Sequence, residues 1–257
     1  PEAPAPPLPA SAIAKSFGRT VILSGFSLTV PIGERLVLIG GSGSGKTTVL
    51  RLIAGLERPD EGAIELFGHR LPNRQFARRL IPADPRGQRQ LRRDVGMVFQ
   101  HFNLFRHLTA IENVMEAPVH VLKMPRAEAH SAAMALLESV GLADFATRYP
   151  HQLSGGQQQR IAIVRALALQ PRLLLLDEIT ASLDPEKVME VLAVVRALAR
   201  DRLVTLIIVT HEMGFAREVA DRVVFMQGGC VVEDTSAREF FAAPRDPRSR
   251  AFLRMAS

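Results

Sequence analysis

At 257 residues, with 47% apolar and only 5% aromatic side chains, the chain can bury one large α/β core rich in aliphatic residues. Cys230 is the sole cysteine, which excludes a disulfide framework and points to a reducing cytosol; the seven histidines lack close metal-ligand spacing, and no apolar run approaches the eighteen residues of a membrane span. The net charge of +6 is carried mostly by arginine, eight of them between Arg70 and Arg93, but only Phe76 interleaves that run, so a solvated face near acidic lipid or a partner fits better than stacking on nucleic acid.

In chain order, Pro1–Ala10 holds five prolines and no apolar core behind a basic stretch, so it reads as a disordered tail rather than a secretory signal, with the domain proper at 11–257. Strands are predicted at Ile13–Phe17, Ser27–Val30 and Arg35–Ile39, then a helix over Thr47–Leu56 closed by Glu57-Arg58-Pro59. A short strand lies between Gly62 and Gly68, followed by the polar, arginine-rich stretch and another strand at Val95–Phe99. From Ala110 to Leu169 the pattern is mostly helical, with Arg126–Val140 amphipathic and stopped at Gly141. Leu173–Leu176 is a four-leucine strand, and Asp184-Pro185 opens a helix with Val188, Val191, Leu192, Val195 and Leu198 on one face. Val204–Val209 is a further strand. Asp221–Met226 with Cys230–Glu233 read as a closing hairpin, and two short helices end the chain. Strand and helix therefore alternate around an all-helical insert, without an internal repeat.

Gly40-Gly41-Ser42-Gly43-Ser44-Gly45-Lys46-Thr47 matches the eight-residue phosphate loop in full, with an apolar strand before it and a helix after. Glycines let backbone N–H groups turn inward around a phosphate, and the helix adds its positive end. In such a loop the Lys46 ammonium reaches the β- and γ-phosphates and the Thr47 hydroxyl ligates Mg²⁺. Leu173-Leu-Leu-Leu-Asp177-Glu178 supplies the acids: Asp177, ending a buried strand, to hold Mg²⁺ through water, and Glu178 to polarise the attacking water. Leu153-Ser154-Gly155-Gly156-Gln157 is a second glycine cluster; out of context it is an ordinary helix cap, just as a lone histidine ending a strand is most often a bonded core residue.

Taken together and in order with Gln100, Ser182-Leu183-Asp184 and His211, these motifs resemble the ATP-binding subunit of an ABC transporter over about Ile13 to Leu253. The resemblance implies a phosphate-loop core with a mainly parallel central sheet, an antiparallel β subdomain and a helical subdomain at about 101–168. It also implies ATP and Mg²⁺ as cofactors. Ser154, Gly155, Gly156 and Gln157 would bind the γ-phosphate of ATP held by a facing second copy or a homologous subunit, with Asp184 and Thr48 also on the nucleotide. His211 would orient the water, Gln100 would touch Mg²⁺ and water, and Phe17 would stack on adenine. The chain departs from the family's usual Asp-Glu-Pro-Thr-Ser-Ala-Leu-Asp in having Ile179, Ala181 and Ser182, and it has Gly41 where proline is common. No charged catalytic group is lost.

Within the family, Val98-Phe-Gln-His-Phe-Asn-Leu-Phe105, Glu112-Asn-Val-Met-Glu-Ala-Pro118, Thr210-His-Glu-Met-Gly-Phe-Ala-Arg217 and Arg250-Ala-Phe-Leu253 resemble importers of polar amino acids, most of all the histidine and basic amino acid type. This implies a peripheral protein on the cytoplasmic face of the inner membrane, seated on permease subunits and served indirectly by a periplasmic or lipid-anchored receptor. His101–Phe105 would line the groove that receives a permease helix. Exporter or lipoprotein-release ATPases share the fold, and soluble relatives in DNA repair or translation normally carry paired cassettes or a long coiled coil, neither of which is present here.

Overall fold

The computed structural model describes residues 8–71, 85–201 and 204–256. These residues form two compact units, one made of the described residues up to Arg92 together with those from 204 onward, the other of Arg93–Asp201.

The first unit opens with an antiparallel sheet of β1 (Leu8–Phe17), β2 (Thr20–Val30), β4 (Glu61–Leu66) and β5 (His69–Arg70), in the order β2-β1-β4-β5. β1 starts inside the expected tail. Leu8, Pro9 and Ala10 pair with Val30, Thr29 and Leu28, and Leu8 and Ala10 are buried. A buried face over Leu8 and Ala10, carried on to Ile13 across an irregularity in the register, outweighs the proline-rich composition, and Pro9 sits near the strand start, where a missing N–H costs least. Residues 1–7 of that tail, and 72–84 of the arginine-rich stretch, lie outside the described residues. β2 is also far longer than the predicted Ser27–Val30, because Leu23 and Phe26 continue its buried face past Ser24-Gly25.

The same unit holds parallel strands β3 (Arg35–Gly40), β8 (Thr205–Val209) and β9 (Arg222–Gln227), with β3 between the other two, and β10 (Cys230–Ser236) antiparallel on β9. Leu36, Val37, Leu38 and Ile39 are each 0% exposed, as an interior parallel strand requires. The helix after β3, α1 (Lys46–Ile53), stops at Ala54 before Gly55 at φ 68°, three residues short of the predicted end. Arg222 binds Glu34 and Asp234 through its guanidinium and donates to Thr29 O at 2.9 Å, tying β9 and β10 to the segment between β2 and β3. Arg35 and Asp221 form a further pair at 2.5 Å.

The second unit contains a parallel pair, β6 (Val95–Val98) and β7 (Leu173–Asp177), and between them every described element is helical. α2 (Pro85–Asp94), most of it in the first unit, leads into β6; α3 (Ala110–His120), α4 (Arg126–Ser139) and α5 (Gly155–Leu167) follow, with two short 3₁₀ turns between α4 and α5, and α6 (Pro185–Asp201) comes after β7. The predicted face of α4 packs through Ala129, Ala133 and Leu137, four residues apart, onto Ile111, Val114, Leu142, Ile161 and Val164. A capping box at Thr109 and Glu112 starts α3. In the first unit, α7 (Met213–Val219), which the sequence reading omits, follows β8; α8 (Ala237–Ala242) and α9 (Pro247–Ala256) are the two short terminal helices. Among the described residues no helix is long and apolar enough to cross a membrane.

Candidate functional site

In the first unit the phosphate loop runs from the end of β3 into α1. Gly40, Gly43 and Gly45 have φ of 151°, 76° and 99°, conformations that strain any residue with a Cβ. At Gly40 a Cβ would also collide with the carbonyl of Met226, and at Gly45 it would approach Leu23 Cδ2 to 2.8 Å. Among the described residues nothing lies within 4 Å of a Cβ built at Gly41 or Gly43, so the loop is not packed over at these two positions. α1 begins at Lys46 without a side-chain cap, which leaves its positive end to whatever binds there. Lys46 is 5% exposed and its ammonium donates to Gly40 O at 2.9 Å and Gly41 O at 3.1 Å. Ser44 Oγ is buried without a hydrogen-bond partner among the described residues. A glycine loop in left-handed conformations, an uncapped helix start, a charge held at the loop and an orphaned hydroxyl together fit a nucleotide's phosphates.

Phe17 ends β1 with 47% of its surface exposed, and the Lys15 ammonium lies 4.9 Å from its ring centroid. His211 follows β8 and is exposed, at the start of a turn in which Glu212 N–H donates to Thr210 Oγ1 at 3.0 Å.

In the second unit Asp177 closes β7 and is 6% exposed, while Glu178, half-buried, has φ 47°. That left-handed backbone at a glutamate is the kind of strain that collects at functional positions. Ile179 is buried, and Ala181 N–H to Glu178 O and Leu183 N–H to Thr180 O, both 3.1 Å, close the turn. Asp184, exposed, accepts from the Lys187 ammonium at 2.6 Å, which holds its carboxyl below the ordinary range. Ser154 caps α5: its hydroxyl accepts from Gln157 N–H, and the Gln157 side chain accepts from Ser154 N–H at 2.8 Å. The cap is therefore real. It also leaves Ser154 exposed at a helix start, which suits an anion.

Gln100 comes just after β6 and is half-buried. The loop after it is shaped by two residues that sequence reasoning missed. Asn113, 0% exposed, accepts from Phe105 N–H and donates to the carbonyls of Phe105, Leu108 and Thr109. Arg165 donates to Asn103 O at 2.7 Å and Phe102 O at 3.4 Å and lies over the Phe105 ring; burial pulls its pKa down. The available signal for Asn113 was one polar residue among the buried apolar positions of α3. Beside this loop is a cavity of about 840 Å³ lined by His101, Phe102, Asn103, Leu104, Arg106, Pro150, His151 and Gln158. Of the predicted groove residues, Phe105 is not in this lining; its ring is taken by Arg165.

A parallel strand feeding a glycine loop into a helix defines a phosphate-loop nucleotide-binding protein. The family described as ABC transporter matches residues 23–181, and the chain belongs to that family. It is 50% identical to the glutamate transport ATP-binding protein GluA of Corynebacterium glutamicum over 94% of this chain and 95% of the relative. It is 49% identical to the arginine transport ATP-binding protein ArgV of the same organism, over 95% and 96%. It is 48% identical to the nopaline permease ATP-binding protein P of Agrobacterium fabrum, over 98% of each. Among solved structures it is similar, at TM-score 0.78 and 33% identity over 90% of this chain and 99% of that one, to the dimeric post-hydrolysis state of the ATP-binding cassette MJ0796 bound to ADP and Pi.

Proposed function

We propose that the chain is the ATP-hydrolysing subunit of an importer of polar amino acids or related small solutes, working as a head-to-tail dimer on the cytoplasmic face of the membrane. The observation that carries this reading is the phosphate loop of full length and suitable backbone, in a chain whose relatives are named for transport of glutamate, arginine and nopaline. Those three names span acidic, basic and opine solutes, so the reading stops at the class and does not single out the histidine or basic type.

In this reading Lys46 and the N–H groups from Gly40 to Thr48 hold the triphosphate, Thr47, Gln100 and Asp177 serve Mg²⁺, and Phe17 stacks on adenine. Among the described residues no group of three His, Cys, Asp or Glu could hold a metal by itself, which suits an ion carried in by nucleotide phosphates. Glu178 takes the proton of the attacking water and His211 orients that water. Ser154, Gly155, Gly156 and Gln157, with Asp184, meet the ATP of the facing copy. Catalysis is then positioning plus charge stabilisation. The cavity beside His101–Leu104 receives a cytoplasmic helix of the permease, and a solute receptor acts only through that permease.

Glu178→Gln is the direct test. ATP should still bind, the protein should dimerise with ATP on size-exclusion chromatography, and hydrolysis should fall roughly 10²–10⁴-fold. Turnover near that of the unmodified chain in the assembled transporter would remove Glu178 from the role. Co-purification of the tagged chain with permease proteins, and loss of amino acid uptake on deletion, test the transport assignment.

A further inference from the structure

We propose that Lys15 is a positioning residue of the base subsite: its buried ammonium backs the Phe17 ring and fixes the aromatic surface on which the nucleotide base stacks. This rests on the reading of Phe17 as the base contact and deepens it. Lys15 is 1% exposed, so its charge is held away from water at a desolvation cost that a methionine of similar length would avoid. The charge is deliberately anchored. Its Nζ donates to Arg58 O at 2.8 Å and lies 3.5 Å from the Glu57 carboxylate and 4.0 Å from that of Asp60. Asp60 in turn fixes the strand end, accepting from Ser16 N–H at 2.7 Å and donating from its own N–H to Ala14 O at 2.8 Å.

From this anchor the ammonium sits 4.9 Å from the Phe17 centroid, within the range of cation–π attraction. Phe17 is nevertheless 47% exposed, which leaves ring surface for a ligand. The hairpin brings this pair to the phosphate loop, since Lys15 pairs with Leu23 across β1 and β2, and the Leu23 side chain lies against Gly45. A cation behind an aromatic ring draws π density from it, which favours stacking of an electron-rich purine on the open surface. A phenylalanine without a hydroxyl tether gains a fixed orientation from the same contact.

The test compares ATP with inorganic tripolyphosphate, both with Mg²⁺, by titration calorimetry on the full chain. The ratio of their affinities isolates the base and ribose from the phosphates. Lys15→Met is expected to lower that ratio about three- to tenfold, with tripolyphosphate affinity unchanged, and Lys15→Arg to restore most of it. Phe17→Leu should lower the ratio at least as far, and adding Lys15→Met to it should change nothing more. If Lys15→Met leaves the ratio alone while Phe17→Leu lowers it, the Lys15 proposal falls and the Phe17 reading stands. If neither moves it, the base reading itself fails. Equal weakening of both ligands by Lys15→Met would make Lys15 purely structural and overturn the proposal. Should that variant not fold, Glu57→Gln combined with Asp60→Asn loosens the anchor from half-exposed positions; a lowered ratio there supports the proposal and an unchanged one overturns it.

Discussion

Asn113 offers a sharp quantitative test of how the loop beside the cavity is held. Its amide is sealed from solvent and serves four backbone groups between Phe105 and Thr109 with two donors and one acceptor. Asn113→Ala removes all of these bonds. Each buried group left unpaired costs about 1–3 kcal/mol, but Phe105 is exposed enough for water to reach part of the loop, so a total of about 2–3 kcal/mol is the reasonable sum. For a chain of this size that is a fall of roughly 5–10 °C in the thermal midpoint. Asn113→Asp separates the terms. It keeps an acceptor for Phe105 N–H but turns a carboxylate toward three carbonyl oxygens, so it should be at least as unstable as the alanine variant at neutral pH. Differential scanning calorimetry gives both midpoints, and amide hydrogen exchange should report lost protection at Phe105. A change below about 0.5 kcal/mol in both variants, or an aspartate variant more stable than the alanine one, would refute the account.

Other expectations follow from local geometry. Gly40→Ala, whose Cβ would strike the Met226 carbonyl, should lose ATP binding or solubility, whereas Gly41→Ala, with open space around its Cβ and no left-handed φ, should bind ATP within about threefold of the unmodified chain by calorimetry. Glu112 accepts from Thr109 N–H and its hydroxyl, and these bonds hold its carboxyl below its ordinary value of 4.5. Because the folded-state value is depressed, its stabilisation is present above pH 4.5 and disappears as pH falls through the folded value. The midpoint gap between the unmodified chain and Glu112→Gln should therefore be open at neutral pH and close in acid; a gap independent of pH would contradict the capping role. Arg165→Met should shift the Asn103 and Phe102 backbone, read by hydrogen exchange, while leaving ATP affinity unchanged.

The strand–loop–helix setting of Gly40–Thr47 and the strand that ends at Asp177 were legible because a glycine loop at fixed spacing and a run of leucines mark them in the sequence. The four leucines before Asp177 read as a strand that would be buried if central, and every residue of it is buried. The limits of β1 and β2 were not legible: prolines and a Ser-Gly pair obscured alternation that register alone restores at Leu8, Ala10, Leu23 and Phe26. α7 escaped notice because seven residues with Phe215, Ala216 and Val219 buried give too little periodicity. Lys15 and Asn113 were invisible for a different reason. A single polar residue on an apolar face looks like noise until its partners, forty residues away or in a neighbouring loop, are known.

The left-handed backbone at Glu178 has a consequence for how this protein can change. A glycine there would relax the main chain and could stabilise the fold, while deleting the carboxylate that the proposed chemistry needs. Selection for robustness alone would thus drift toward a sturdier subunit that no longer turns over. The buried Ile179 and the turn hydrogen bonds that follow hold the glutamate in a posture it would not adopt unaided, and directed evolution that demands turnover as well as thermal tolerance should find its improvements elsewhere.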